Sequence, residues 1–415
     1  MRKIVAAAAI SAGLSAPVSG YAPETSLRPV PRPGPEKIVM SSANAGFDRW
    51  IGSFRSRALA AGIRPDVFDR AMRGLSYNTN VIERDRTQAE FTKTIWDYLD
   101  SAVSDTRVKN GKAALADHRR LLERIERTYG VEKEVVVAVW GLESAYGTFR
   151  GTTPVIEALA TLAYDGRRGR FFEGQLIDAL KIVQAGDVDP RAMTGSWAGA
   201  MGHTQFIPSS FLAYAVDFTG DGRRDIWGED PADALASTAA YLARFGWTKG
   251  QPWGMEVALP AGFDYALTGE RIRKRGRDWN GLGVRDAAGR PVPDHGPASI
   301  LVPAGSRGAA FMIFGNFHVI ERYNAADAYV IAVGHLADRI AGGAPIRAGW
   351  PRGDRALLQA ERMELQERLT KAGFSTGGVD GKIGPKTIAA VRAYQRAAGL
   401  VPDGYASLEI LKRLR

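Results

Sequence analysis

Glu143 is the residue on which a reaction can be built. It closes the apolar run Val131 to Leu142 and is followed by Ser144, Tyr146 and Gly147. A carboxyl at the end of a buried helix loses hydration, and lost hydration raises its pKa. A carboxylic acid still protonated near neutral pH can donate a proton to a glycosidic oxygen. The other reading is a glutamate that merely faces solvent at a helix end. A second chemistry-bearing stretch runs from Gly195 to Ser210. Its glycines let the backbone approach a ligand closely, and Ser196, Gln205 and Ser209 offer hydrogen bonds. A tight loop between helices would look the same. A third stretch, Asp217 to Asp225, places oxygen ligands at positions one, three, five and nine of a calcium-type loop, with glycine at the sixth. It departs from the EF-hand pattern, with Thr219 at position three and Gly228 at position twelve. Asp233 can supply a later carboxylate; a metal-free Asp/Gly turn is the alternative.

The elements that carry these groups read mainly as helices. Val135, Val136, Val137, Ala138, Val139, Trp140 and Leu142 leave almost no polar face, which predicts a buried helix ending at Gly147. Before it, Phe47, Trp50, Ile51, Phe54 and Leu59 recur at helical spacing, followed by Ile95, Trp96 and Tyr98 and a long segment from Val108 to Tyr129. Most of these aromatics suit a core, and Tyr98 suits a sugar contact. After Glu143, Pro154 to Tyr164 and Arg167 to Ile182 predict two more helices. Asp230 and Pro231 start another that runs to Phe245. From Trp253 to Met312, Val257, Leu259, Tyr265, Leu267, Ile300 and Val302 lie among many Gly and Pro and predict short strands. The basic run Arg271 to Arg277 suits an acidic polymer or a solvated face. A helix is expected from Arg322 through Tyr329 to about Ile340, then a Gly/Pro-rich boundary, then a helix-loop-helix pattern with its own apolar set (Leu365, Leu369, Phe374, Ile383, Val391, Leu400, Leu411).

Composition narrows the classes. The chain has 415 residues, a formal charge of +10 and no cysteine. Thiol catalysis, disulfides, Cys-zinc sites and acylation of an N-terminal Cys are excluded. The positive charge favours an anionic partner, and nothing beyond charge supports nucleic acid. No phosphate loop, dinucleotide fingerprint or nucleophile-elbow serine occurs, and the five histidines are scattered. Residues 1–22 read as a secretory signal, with Arg2 and Lys3 before an apolar segment. Residues 23–44 read as an extended tether, with Pro29, Pro31, Pro33 and Pro35 at alternate positions.

Together the motifs resemble the lytic murein transglycosylase B family with a peptidoglycan-binding module appended. The resemblance rests on Glu143-Ser144-x-Tyr146-Gly147, on Gly195 to Ser210, on the loop from Asp217 to Trp227 and on Arg322-Tyr323-Asn324. The module's signature is Asp380-Gly381-x-x-Gly384-x-x-Thr387. It implies a mainly α fold: an α+β, lysozyme-like catalytic domain over 45–345 with a small β insertion, a linker at 346–356, and a small three-helix module over 357–415. It implies cleavage of the β-1,4 bond between N-acetylmuramic acid and N-acetylglucosamine with a 1,6-anhydro end, and Glu143 as sole acid/base. A hydrolytic muramidase and a non-catalytic wall-binding scaffold are the alternatives.

By the same resemblance, Tyr98, Ser196, Gln205, Tyr241, Tyr323, Asn324 and Tyr329 line the sugar cleft. Asp217, Thr219, Asp221, the Arg223 carbonyl and Asp233 hold a structural Ca2+, and no cofactor serves catalysis. Phe171 stands where a substrate-contacting Tyr is expected. Two extra residues fall between Trp227 and Asp233. The expected partner is peptidoglycan glycan strands, met by a soluble periplasmic monomer that is not a lipoprotein and has no transmembrane segment after signal cleavage. The module is expected to raise the concentration of Glu143 at the wall.

Overall fold

The apolar run folds as the helix Lys133–Ser144, with every residue from Val135 to Leu142 buried. A helix apolar on all sides must be covered on all sides. The cover here is Asp327–Ile340, Asp105–Asp117, Arg119–Tyr129 and Ala232–Arg244. The computed structural model describes residues 44–86 and 93–415. The expected signal, and all but the last residue of the tether, lie outside them. Among the described residues no helix is long and apolar enough to cross a membrane.

A second helix pair, Val155–Asp165 and Gly169–Ala185, packs under Ala45–Ala60 and Pro65–Met72. The helically spaced aromatics meet there as expected: Phe47 stacks on Trp50 at 6.1 Å and Trp50 on Phe54 at 5.2 Å. Two expectations change. The segment Val108 to Tyr129 is two helices with a corner at His118, whose ring packs edge-on against Trp140 at 5.4 Å. The helix expected from Arg322 to Ile340 is broken. Gly315–Tyr323 ends at Asn324, whose backbone is extended and whose side chain accepts from the Ala326 N–H at 3.1 Å. An Asn side chain that bonds its own backbone two residues on stops a helix. Asp327–Ile340 then starts afresh.

The β insertion is a four-stranded antiparallel sheet in the order Arg285–Asp286, Gly254–Ala258, Ala310–Ile313, Ser299–Leu301. Val257, Trp279, Ile300, Met312 and Phe314 give it a core of its own. Val257 and Ile300 lie in strands as expected. Tyr265 and Leu267 do not: Tyr265–Leu267 is a 3-10 turn, pinned because Asp264 accepts from the Ala266 N–H at 2.9 Å.

The C-terminal helices Gln359–Lys371, Pro385–Ala397 and Leu408–Leu414 enclose Leu365, Leu369, Val391 and Leu411. Two buried glutamines lock their turns. Gln366 accepts from the Asp380 and Gly381 N–H groups and donates to Asp380 Oδ1 at 3.0 Å. Gln395 repeats this, accepting from Gly404 N–H and donating to Asp403 Oδ1 at 2.7 Å. The second turn also grips the β insertion. Asp403 Oδ2 accepts from the Ser306 N–H at 2.8 Å and hydroxyl at 3.0 Å, and Arg392 donates to the Thr268 hydroxyl at 2.6 Å. The chain between is laid along the body: Arg347 and Ala348 N–H groups donate to Glu256 at 2.8 and 2.6 Å, and Arg352 pairs with Asp100.

Trp253 ties the sheet to the core. Its indole lies over Gly334 in Asp327–Ile340 and donates to Asp338 Oδ2 at 2.9 Å. A Cβ at Gly334 would collide with the indole ring. Gly334→Val is therefore expected to cost about 1–3 kcal/mol of stability by overpacking, read as a lowered denaturant midpoint. An unchanged midpoint would mean that Trp253 is not held against this helix.

Candidate active site

The helix Lys133–Ser144 stops because three residues in succession turn left-handed: Ala145 at φ 49°, Tyr146 at 60° and Gly147 at 84°. The first two are not glycine, and such a conformation costs about 1–3 kcal/mol per residue. Surrounding contacts hold it. Ser144 Oγ donates to the His203 carbonyl at 2.5 Å and accepts from the Gly147 N–H at 3.0 Å. The Tyr146 hydroxyl donates to the Arg107 carbonyl at 2.8 Å, and Arg107 donates back to the Gly141 carbonyl at 2.5 Å. The Tyr146 ring sits so close over Gly141 that a Cβ there would lie 2.6 Å from it. These contacts fix the last turn, and so aim Glu143.

Glu143 is partly exposed as a residue, while burial is the main influence on its carboxyl. The Tyr329 hydroxyl donates to Glu143 Oε1 at 2.5 Å. Burial pushes the carboxyl up to about 7, and the Tyr329 bond, which favours the charged form, draws it partly back. Tyr98 is pushed up to about 12 by burial and by the Glu143 charge. Tyr323 is raised well above the usual phenol range by the same two causes. Three tyrosines from three elements therefore share one desolvated space with one carboxylate.

The Gly195 to Ser210 loop closes another side. Ser196 Oγ accepts from the Ala200 N–H at 3.0 Å. Gln205 takes a positive φ of 55°, and its amide donates to the Arg150 carbonyl at 3.0 Å and the Gly202 carbonyl at 2.8 Å. Tyr323 donates to the Thr204 carbonyl at 2.5 Å. Ser209 is engaged elsewhere, exchanging two hydrogen bonds with Gln175 at 3.0 Å. Tyr241 is buried, donates to the Arg322 carbonyl at 2.6 Å and packs against Tyr323 at 5.0 Å, so it braces that ring. Asn324 is buried at the helix break. Phe171 packs edge-on against Phe172 at 5.2 Å and offers no hydroxyl.

His203, passed over among the scattered histidines, joins the loop to the helix. Trp140 Nε1 donates to His203 Nδ1 at 3.2 Å, so Nδ1 is the acceptor and Nε2–H points to the Gly228 carbonyl at 2.7 Å. Burial lowers its pKa, which keeps the ring neutral. Arg150, also missed, donates to the Trp227 and Gly228 carbonyls at 3.1 and 2.6 Å. The only signal for His203 was its place between Gly202 and Gln205.

The acidic loop gathers as expected. Oxygens of Asp217, Asp221 and Asp233 lie within 4.8 Å of one another. The two residues inserted after Trp227 do not displace Asp233. It is buried on Ala232–Arg244 and accepts from the Phe218, Thr219 and Asp225 N–H groups at 2.8 to 3.0 Å. Burial raises its pKa, and those hydrogen bonds oppose the rise. Thr219 donates to Asp217 Oδ1 at 3.2 Å, and the Arg223 N–H donates to Asp221 at 2.9 Å. The donors are all hard oxygens, which suit Ca2+.

The chain is thus a mainly helical body with a buried carboxyl at a helix end, a turn of three converging carboxylates and an appended three-helix module. Residues 46–338 match the transglycosylase SLT domain family, and residues 359–414 match the peptidoglycan binding domain family. The chain belongs to the transglycosylase SLT domain family. Membrane-bound lytic murein transglycosylase B of Escherichia coli (strain K12) is 34% identical over 251 residues, which are 59% of this chain and 66% of that protein. SltB3 from Pseudomonas aeruginosa, solved with NAG-anhNAM-pentapeptide, is 50% identical and superposes with a TM-score of 0.87 over 89% of this chain and 99% of that one. The Escherichia coli lytic transglycosylase Slt35, solved with calcium, is 29% identical with a TM-score of 0.60 over 71% and 92%. These likenesses bear out the lysozyme-like fold that the motifs implied.

The raised carboxyl has a measurable cost. Its folded pKa of about 7 exceeds the ordinary value of 4.5, so the folded state binds more protons between those values. Stability is then fully present below about pH 4.5 and falls as pH rises through about 7. Glu143→Gln is expected to be more stable than the native chain at pH 8 by about 1–3 kcal/mol, with the gap closing near pH 4. Paired denaturation curves at the two pH values test it; a gap of equal size at both would place the carboxyl in water.

Proposed function

We propose that this chain cleaves the β-1,4 bond between N-acetylmuramic acid and N-acetylglucosamine in peptidoglycan and leaves a 1,6-anhydro-muramoyl end. The observation that carries this reading is a carboxyl held at the end of a buried helix by a hydrogen bond from Tyr329. Burial and the Tyr329 hydroxyl are the influences on it, with no partner carboxylate among them in the described residues. Glycosidases that hydrolyse usually need two carboxyls. One suffices when the nucleophile belongs to the sugar. Protonated Glu143 gives its proton to the leaving glycosidic oxygen as the C1–O bond breaks. As carboxylate it then takes the proton from the muramoyl C6 hydroxyl, whose oxygen bonds to C1. Glu143 ends protonated, ready for another turn. Tyr329 stabilises the charged form between the steps. Tyr98, Ser196, Gln205 and Tyr323 are the groups we assign to holding the sugar. The relative SltB3 bound to NAG-anhNAM-pentapeptide supports the anhydro product and a peptide-bearing strand as substrate. Such a substrate lies outside the cytoplasm, in keeping with the signal read from residues 1–22.

Glu143→Gln should still bind murein sacculi and should release anhydro-muropeptides at least 1,000-fold more slowly, a loss in the range expected for removing a general acid. The native rate should fall above about pH 7, as the acid loses its proton. Mass spectrometry reads the products. Fragments heavier by one water would replace the ring-closing step with hydrolysis, and undiminished release would remove Glu143 from the chemistry.

We also propose that Asp217, Asp221 and Asp233, with Thr219 and the Arg223 carbonyl, hold a structural Ca2+. Three converging carboxylates repel one another, and a divalent cation reverses that term. Calcium in Slt35 supports this choice of ion. Millimolar calcium should raise the melting temperature by several degrees, and Asp221→Ala should abolish the shift. A calcium-independent melting temperature in the native chain would leave the loop a plain turn.

A further inference from the structure

The two ring nitrogens of His203 carry two different duties. Nδ1 keeps its lone pair for the Trp140 indole N–H at 3.2 Å, and Nε2–H is spent on the Gly228 carbonyl at 2.7 Å. Only the neutral ring with its proton on Nε2 can do both. The backbone of the same residue is committed too. Its carbonyl accepts from Ser144 Oγ, and its N–H donates to the Ile226 carbonyl at 3.0 Å. The ring also lies against Gly147, where a Cβ would come within 2.7 Å of Nδ1. Ser144 follows Glu143 directly, and Gln205 lies two residues beyond His203. One imidazole therefore stands between the helix end that carries the acid and the loop facing it.

A second proton undoes this arrangement. The imidazolium carries N–H groups on both nitrogens. On the Nδ1 side the new N–H points at the Trp140 N–H, donor against donor. On the Nε2 side Arg150 Nη1 stands at 3.2 Å, a cation beside a cation. Burial is the largest influence on the ring and, with Arg150, holds its pKa below the ordinary 6.5; the Gly228 carbonyl, Glu229 and Asp225 work the other way. Glu229 is exposed and paired with Arg150, so its pull is weak. His118 and Tyr146 pack edge-on against the Trp140 indole at 5.4 and 5.9 Å. Once protonated, the ring must leave the indole.

We propose that His203 is a positioning residue for Glu143 that works only as the neutral ring, so that its protonation parts the helix end from the Gly195 to Ser210 loop and stops cleavage in acid. The inference rests on the reading of Glu143 as the acid. The left-handed turn from Ala145 to Gly147 persists only while its neighbours hold it, and an acid that drifts loses its effect. Glu143 alone gives a rate that levels off as pH falls, since the protonated carboxyl is the form that starts the reaction. A fall on the acid side belongs to another group. His203 is the group whose charged form finds no place between Trp140 and Arg150.

The test reads anhydro-muropeptide release from soluble peptide-bearing glycan strands between about pH 4 and about pH 9. The native chain should lose rate on both sides: above about 7 as Glu143 ionises, and below a midpoint under 6.5 as His203 takes its proton. His203→Gln, which offers an acceptor and a donor but does not titrate, should keep the alkaline limb and lose the acid one. His203→Phe offers neither and should lower kcat about tenfold or more at every pH while KM stays within about twofold. Nitrogen-15 spectra of the full-length, histidine-labelled Glu143→Gln chain read the ring directly, whether or not the His203 variants fold. They should show a proton on Nε2 alone near neutral pH and a second proton taken up at the midpoint of the acid limb. An acid limb unchanged in folded His203→Gln, a neutral ring protonated on Nδ1, or a ring titration away from the limb overturns the proposal. A native profile with the alkaline limb alone overturns it and leaves Glu143 as the acid. No anhydro-muropeptide at any pH sinks the murein reading, and this inference with it.

Discussion

The burial of the Glu143 carboxyl at the end of its helix is the constraint around which this part of the fold is arranged. The carboxylate is stabilised by hydration, so its removal from water is what lifts the pKa. Hydrogen bonds to the charged form work the other way. The single strong bond from Tyr329 therefore sets a balance: enough to ease the charged form, too little to return the group to the ordinary range. Arg107, the nearby cation, is turned aside. Its guanidinium donates to the Gly141 carbonyl, at the negative end of the helix dipole.

Rigidity is the second requirement, because an acid displaced by an ångström loses much of its effect. Among the described residues, the three non-glycine residues with left-handed backbone, Ala145, Tyr146 and Gln205, all lie in or beside this site. Strain of this kind persists only where neighbours over-determine it. Here the neighbours are the Ser144–His203 and Tyr146–Arg107 bonds and the Trp140–His203 pair, which together join the last turn of one helix to the loop facing it.

What was legible in the sequence follows from how local each signal is. The Glu143 helix was plain because a continuous apolar run needs no partner to be recognised. The clustering of Asp217 with Asp221 was plain because the two are close in the chain. Tyr329 on Glu143 was a different matter: it is 186 residues away, and its direction depends on the helix break at Asn324. An Asn inside an apolar pattern does not announce whether its side chain will bond its own backbone. His203 was overlooked for a related reason. A lone histidine carries no pattern, and its role as acceptor for Trp140 and donor to Gly228 exists only once three segments meet. Tyr265 and Leu267 had strand-like spacing, but the Asp264 cap turned the segment into a 3-10 turn.

The docking of the C-terminal module gives the protein a built-in measure of length. Sequence alone suggested an appendage on a linker, whose reach would be a distribution. The Asp403–Ser306 and Arg392–Thr268 bonds, and the connecting chain fastened along Glu256 and Asp100, replace that distribution with one fixed span. The module is thus held at a constant offset from Glu143. The distance between the two becomes a property of the fold and not of chance.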